Sequence, residues 1–245
     1  MAADVTPPPA AAPRWPGLLV LLTSAVVGVL VVFTLWRHPG VLHDPAAPVF
    51  LALLVAVMAV YVGCAGWSLR HPRPGGSTGV AIGTVAGAMW SVEIWAGGPA
   101  ELSRTEEQAI GGTFVLLAVA STLAAGIRVG LQDRARGSAV RAGLFAGLTS
   151  GVVVFLVATT MTLATLPTLA SRSDYQRQYA SSHAADIGTF LTGDILAAVT
   201  AHLVINLGLG MLGAALGALI TSRRGTPGTS TTTGQVTESG RCDRL

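Results

Sequence analysis

The chain has no lysine, and only 11% of its 245 residues are charged. Soluble domains carry about a quarter charged residues, so this scarcity excludes an ordinary water-facing surface. Cysteine is nearly missing: Cys64 and Cys242 are the whole supply, and two such distant thiols make neither a disulfide framework nor a metal-type spacing. A phosphate-binding P-loop, HExxH, CxxC and a nucleophile elbow are all missing. These absences predict no catalytic residues, no metal and no cofactor, and the chain is read as non-enzymatic. The apolar stretches also lack the period-two alternation of a membrane barrel.

Long hydrophobic runs are what the chain has instead. Hydrophobic residues make up 51% of it, and the mean hydropathy is +0.61. A bilayer core of about 30 Å is crossed by about 20 residues at 1.5 Å rise. Only helices satisfy their own backbone in lipid without a partner segment. Runs of that length predict spans at about 17–36, 49–69, 78–96, 109–128, 142–166 and 195–220. The fold class is therefore all-α, a polytopic membrane bundle of six transmembrane helices over residues 15–220. A Pro/Ala-rich tail (1–14) and a Gly/Ser/Thr-rich tail (221–245) lack the apolar residues to build a core and are expected to be disordered. The first run, bracketed by Trp15 and Trp36, is too long for a secretion signal and reads as an uncleaved span.

All fifteen basic residues are arginines. With six spans and an inside N-terminus, inner segments hold Arg14, Arg70, Arg73, Arg128, Arg134, Arg136, Arg141, Arg223, Arg224, Arg241 and Arg244. Outer segments hold Arg37, Arg104, Arg172 and Arg177. Eleven against four is the bias of positive loops retained in the cytoplasm. It predicts a bacterial-type cytoplasmic membrane with both termini inside. The pI near 9.4 thus reports topology and an anionic lipid leaflet as partner, with no nucleic acid implied.

Glycine is abundant and placed by rule. Gly79, Gly83 and Gly87 are four apart, and so are Gly143, Gly147 and Gly151; a shorter pair, Gly213 and Gly217, follows in the last span. Residues four apart share a helix face. In lipid no hydrophobic drive joins helices, and small residues let backbones approach instead. A mid-helix glycine costs up to about 1 kcal/mol against alanine in water, which close packing would offset. The third and fifth spans are predicted to meet through these faces near the cytoplasmic side, leaving the outer halves freer to splay. Shifting the chain by 64 residues aligns the two trios together with Phe50 on Phe114, Leu53 on Leu117, Gly66 on Gly130 and Arg70 on Arg134. That offset suggests a tandem two-helix repeat, spans two and three followed by four and five. The repeated hairpin would form a glycine-packed centre flanked by spans one and six.

Polar residues collect in the outer halves. Glu93 lies in span three. His202 and Asn206 are four apart in span six, and Thr159, Thr160, Thr162 and Thr165 sit towards the outer end of span five. Ionisable groups inside a membrane are costly and by default suggest function. Glu93, His202, Asn206 and Thr162 are the candidate lining of an outward-facing polar cavity. Asp194 reads as a carboxylate at the N-terminus of the last helix. Ser103 and Glu106 have capping-box spacing ahead of the fourth span. The segment 171–194 is expected to be partly helical and to cover the outer face. Three function classes follow, in this order: a structural or assembly component packed through its glycine faces, with itself or a membrane partner protein; as the alternative, a small transporter or permease component; and last an intramembrane enzyme, for which a single Glu and a single His are poor support.

Overall fold

The computed structural model describes residues 12–100 and 102–224, and no strand occurs among them. Seven α-helices run α1 (Trp15–Arg37), α2 (Ala47–Arg70), α3 (Gly76–Gly97), α4 (Arg104–Asp133), α5 (Arg136–Ser171), α6 (Ser173–Ser181) and α7 (Ile187–Arg224), with a short 3₁₀ turn at Pro39–His43. All except α6 are long and apolar enough to cross a membrane. The fold is the all-α, six-span bundle that the apolar runs dictate. The N-terminal tail up to residue 11, the C-terminal tail beyond residue 224 and Cys242 lie outside the described residues.

Local signals explain the boundaries. Pro16 sits in the first turn of α1, where its missing N–H costs nothing, and the helix ends just ahead of Pro39. Ser103 accepts from the Glu106 amide while Glu106 Oε2 accepts from the Ser103 amide at 3.0 Å, so the capping box opens α4. Between α2 and α3 the chain turns through Gly75 at φ +97°, where a Cβ would run into the Ser138 carbonyl. Both α5 and α7 are longer than their apolar runs: α5 starts at Arg136 and passes through Pro167, and α7 reaches Arg224. Residues 221–224 are thus helical, not part of a tail.

The last helix also starts earlier than expected. Asp186 caps it: Oδ1 accepts from the Thr189 amide and Oδ2 from the Thr189 hydroxyl, both at 2.8 Å. These bonds hold the Asp186 carboxyl below the ordinary carboxylate range. Asp194 therefore lies two turns inside α7 and is not its N-terminal residue, which corrects the role assigned to it from sequence.

Helix α5 is the axis of the bundle. Of its most apolar 18 residues 78% are buried, against 22% in α1 and in α2. The most extensive packing joins α5 to α7, followed by α3 to α5; α4 lies against α3, α5 and α7. Span six is therefore central and does not flank the bundle, while α1 and α2 form an outer pair. That pair is fastened by Val20, Val27, Leu54 and Tyr61, which join Phe145, Leu148, Phe155, Leu196 and Leu203 in one apolar core. The two hairpins aligned by the 64-residue offset are packed differently: α4 runs along α5, but α2 does not run along α3.

Glycine contacts run along three seams. On α3, a Cβ at Gly79 or Gly83 would strike the backbone of Ala142 or Ala146, and one at Gly87 would meet Val153 at 2.7 Å. The α5 trio faces away from α3: Gly143 lies against Ala214, Gly147 against the Asn206 carbonyl, and Gly151 against the Tyr61 hydroxyl. Gly213 and Gly217 pack on α4, where Gly126 and Gly130 answer them. So α3 and α5 do lie backbone to backbone, but alanines of α5, not its glycines, fill that contact.

One arginine counted among the inner segments is no surface charge. Arg141 is 2% exposed, one turn inside α5. Its guanidinium donates to the His71 carbonyl and to Ser68 Oγ (3.4 Å), and lies 4.9 Å from the Trp67 ring centre. It thereby caps the negative end of the α2 dipole and ties the outer pair to the axis.

Candidate functional site: a polar cavity between α3, α5, α6 and α7

At the end of the bundle where α6 lies, α3, α5 and α7 separate enough to leave a partly open cavity of about 240 Å³. Its walls follow from helical spacing. On α7, Asp194, Ala198 and His202 are four apart and share a face; on α5, Thr162 and Leu169 are two turns apart. Glu93 and Ile94 come from α3, Gly97, Gly98 and Pro99 from the corner after it, and Tyr175 from α6. Glu107 of α4 stands at the rim, its Oε1 3.7 Å from where a Gly97 Cβ would be.

Glu93 and His202 meet here. Glu93 Oε2 is 4.0 Å from His202 Nε2, with the His202 and Glu93 side chains 19% and 31% exposed. The other ring nitrogen, Nδ1, lies 2.9 Å from the Ala198 carbonyl oxygen. A carbonyl only accepts, so the hydrogen-bond network assigns the hydrogen to Nδ1. Nε2 then faces the carboxylate either as a lone pair or as the second N–H of an imidazolium. In the first case two acceptors confront each other and need a donor between them. Glu93 Oε2 is buried and makes no hydrogen bond. The Trp90 ring meets the imidazole edge-on at 5.1 Å between centres and fixes its plane.

Thr162 belongs with the threonines that do not bond their own helix, as do Thr149, Thr159 and Thr192, but it alone of these four lines the cavity. The hydroxyls of Thr84, Thr122, Thr165 and Thr200 donate to the carbonyl one turn back at 2.9, 2.9, 2.8 and 2.6 Å, the usual habit in membrane helices. Thr162 is 7% exposed and lines the cavity, yet its hydroxyl has no hydrogen-bond partner among the described residues. Asp194 likewise reaches the cavity without a hydrogen bond or ion pair among them.

Asn206 does not join this set. Fully buried one turn past His202, it accepts from Ser150 Oγ at 2.8 Å and donates to the His202 carbonyl at 2.9 Å. It stitches α7 to α5 beneath the cavity. Thr159 and Thr160 are also outside the lining. Sequence reasoning thus brought three of four lining candidates to one place and missed Asp194, whose register with His202 becomes visible only once α7 is started at Asp186.

The roof is tethered. Arg172, between α5 and α6, donates to the Gly98 carbonyl, pairs with Asp174 at 2.8 Å and stacks 5.4 Å from the Tyr175 ring centre. The Arg172 bond holds the Asp174 carboxyl low, and burial raises the Tyr175 phenol. α6 is thereby held across the corner between α3 and α4.

Fold and site together define the class: an all-α bundle of six helices able to cross a membrane, with a polar cavity at one end. No family model matches the chain, and no curated protein or solved structure matches it.

Proposed function

We propose that this chain is a non-enzymatic, small-solute transporter or permease component of a bacterial-type cytoplasmic membrane. The arginine bias supports placing the α6 end, with its cavity, outside and both termini inside. The observation that carries the proposal is the convergence of Glu93 and His202, from α3 and α7, at 4.0 Å on the wall of a cavity. Charged groups placed in a span at a helix junction are the usual mark of a solute or ion path. A structural component assembling with a copy or a partner through the glycine faces is the weaker alternative, because Gly79, Gly83, Gly87, Gly143, Gly147 and Gly151 are all covered by the chain itself.

The test is uptake into proteoliposomes of a panel of small radiolabelled solutes: amines, carboxylates and neutral polyols. Saturable uptake of at least one class, lost in Glu93→Gln and in His202→Ala, is the expected result. Uptake no greater than into protein-free vesicles for every class overturns the proposal.

A further inference from the structure

We propose that the cavity takes a small organic ammonium cation, its nitrogen seated between Glu93, His202 and Thr162. This rests on reading the cavity as a solute site and adds the chemistry of the solute. With a neutral imidazole, no donor lies between Glu93 and His202. The Glu93 carboxylate makes no hydrogen bond among the described residues; its Oε2 is closed off, but the side chain is 31% exposed to the cavity, and His202 Nε2 faces it at 4.0 Å while Nδ1 lies against the Ala198 carbonyl. A group with several N–H donors can bond to the exposed part of the carboxylate and to the imidazole at once, and an ammonium has three.

A second observation points the same way. Thr162, 7% exposed, brings to the same space a hydroxyl with no partner. It can accept from the same nitrogen.

Charge agrees with this geometry. Asp194 stands two helical turns from His202 on the cavity wall, and Glu107 adds a further carboxylate at the rim. Arg172, whose guanidinium stacks on the lining residue Tyr175, is engaged by Asp174 and the Gly98 carbonyl. Ile94, Leu169, Leu191 and Ile195 complete the wall and suit an alkyl chain. Among the described residues no three His, Cys, Asp or Glu side chains converge tightly enough to hold a metal ion, which favours an organic cation. At about 240 Å³ the space lies just below the roughly 300–1,000 Å³ of drug-sized sites, so the ligand is small.

Isothermal titration of the detergent-purified full-length protein with n-butylammonium, sodium butyrate and butanol tests this. Saturable binding of butylammonium is expected, with no heat from the other two at equal concentration. Glu93→Gln should weaken it at least about tenfold, the scale of one charge-assisted contact, and Asp194→Asn, two helical turns away, about threefold, the scale of a more distant charge. Thr162→Val should weaken it less. Because Asp194 makes no hydrogen bond or ion pair among the described residues, Asp194→Asn keeps the test valid if Glu93→Gln disturbs the fold. Equal binding of butyrate or butanol, or butylammonium binding unmoved by either carboxylate substitution, overturns the assignment. Carboxylate-dependent butylammonium binding without uptake of any solute leaves the cation site standing and removes transport. Glu93-dependent uptake of anions or polyols without butylammonium binding does the reverse.

Discussion

The outer pair α1–α2 and the axis α5–α7 invert the usual relation between apolarity and burial. α1 and α2 carry the most apolar stretches of the chain, yet 22% of each is buried; α5, less apolar, is 78% buried. In water the most hydrophobic segment goes inside. In a bilayer, lipid tails are as apolar as leucine, so hydropathy marks what faces lipid, while small and polar residues mark what faces protein. α5 carries Gly143, Gly147, Gly151, Ser150 and the buried Arg141 for that reason. α1 shows Val29, Val32 and Trp36 at its exposed surface.

The sharpest way to break this contrast is to put the same side chain on both sides of it. Gly83→Leu on α3 and Gly126→Leu on α4 force a Cβ into the Ala146 and Gly213 backbones, whereas Gly28 of α1 and Gly63 of α2 have nothing within 4 Å. The first two should cost about 3 kcal/mol or more, the upper range of overpacking, and empty the folded peak in mild detergent. Gly28→Leu and Gly63→Leu should stay within about 0.5 kcal/mol, as surface changes do. Equal melting temperatures across the four would end the distinction between axis and outer pair.

A smaller effect separates bonds between helices from bonds within one. Asn206→Leu removes the Ser150–Asn206 link and strands a buried hydroxyl, a loss of about 1 kcal/mol. Thr34→Val in α1 removes only a bond to the Leu30 carbonyl of its own helix and should cost less than about 0.5 kcal/mol. Denaturant titration in micelles reads both.

A pH-dependent effect of similar size to the Asn206 loss lies at the start of α7. Asp186→Ala should cost about 1 kcal/mol at neutral pH, the value of a helix cap. The folded carboxyl sits below its ordinary range because the Thr189 amide and hydroxyl bond to it. Its stabilisation is therefore complete above the unfolded pKa of about 3.9 and disappears as pH falls through the lower folded value. Melting curves of wild type and variant should be separated at pH 7 and converge in stronger acid; a constant gap would deny the cap its charge.

How far the sequence reaches differs by feature. The six spans were legible because 20-residue apolar runs have one viable backbone solution in lipid. The Ser103–Glu106 cap was legible because it is local. Partners were harder: α5 has alanines one face over from its glycines, and only packing decides which stripe α3 occupies. Gly126 and Gly130 stand four apart, the same spacing that marks Gly213 and Gly217, so their seam was legible and went unread; Gly210 has no glycine four residues away and shows its role only in the packing. Glu93 and His202 stood out singly, since an ionisable group in a span is rare; Asp194 was hidden by a misplaced helix start.

Sequence alone therefore settled the helical state and the number of helices long and apolar enough to cross a membrane, since each depends on the transfer energy of a contiguous stretch. Tertiary structure decided which helix is the axis, which atoms face each glycine, and that Glu93, His202, Thr162 and Asp194 border one space while Asn206 does not. Those outcomes depend on the rotation of one helix about its axis relative to another, and that angle is fixed by side chains interlocking at contact distance, not by the composition of either helix.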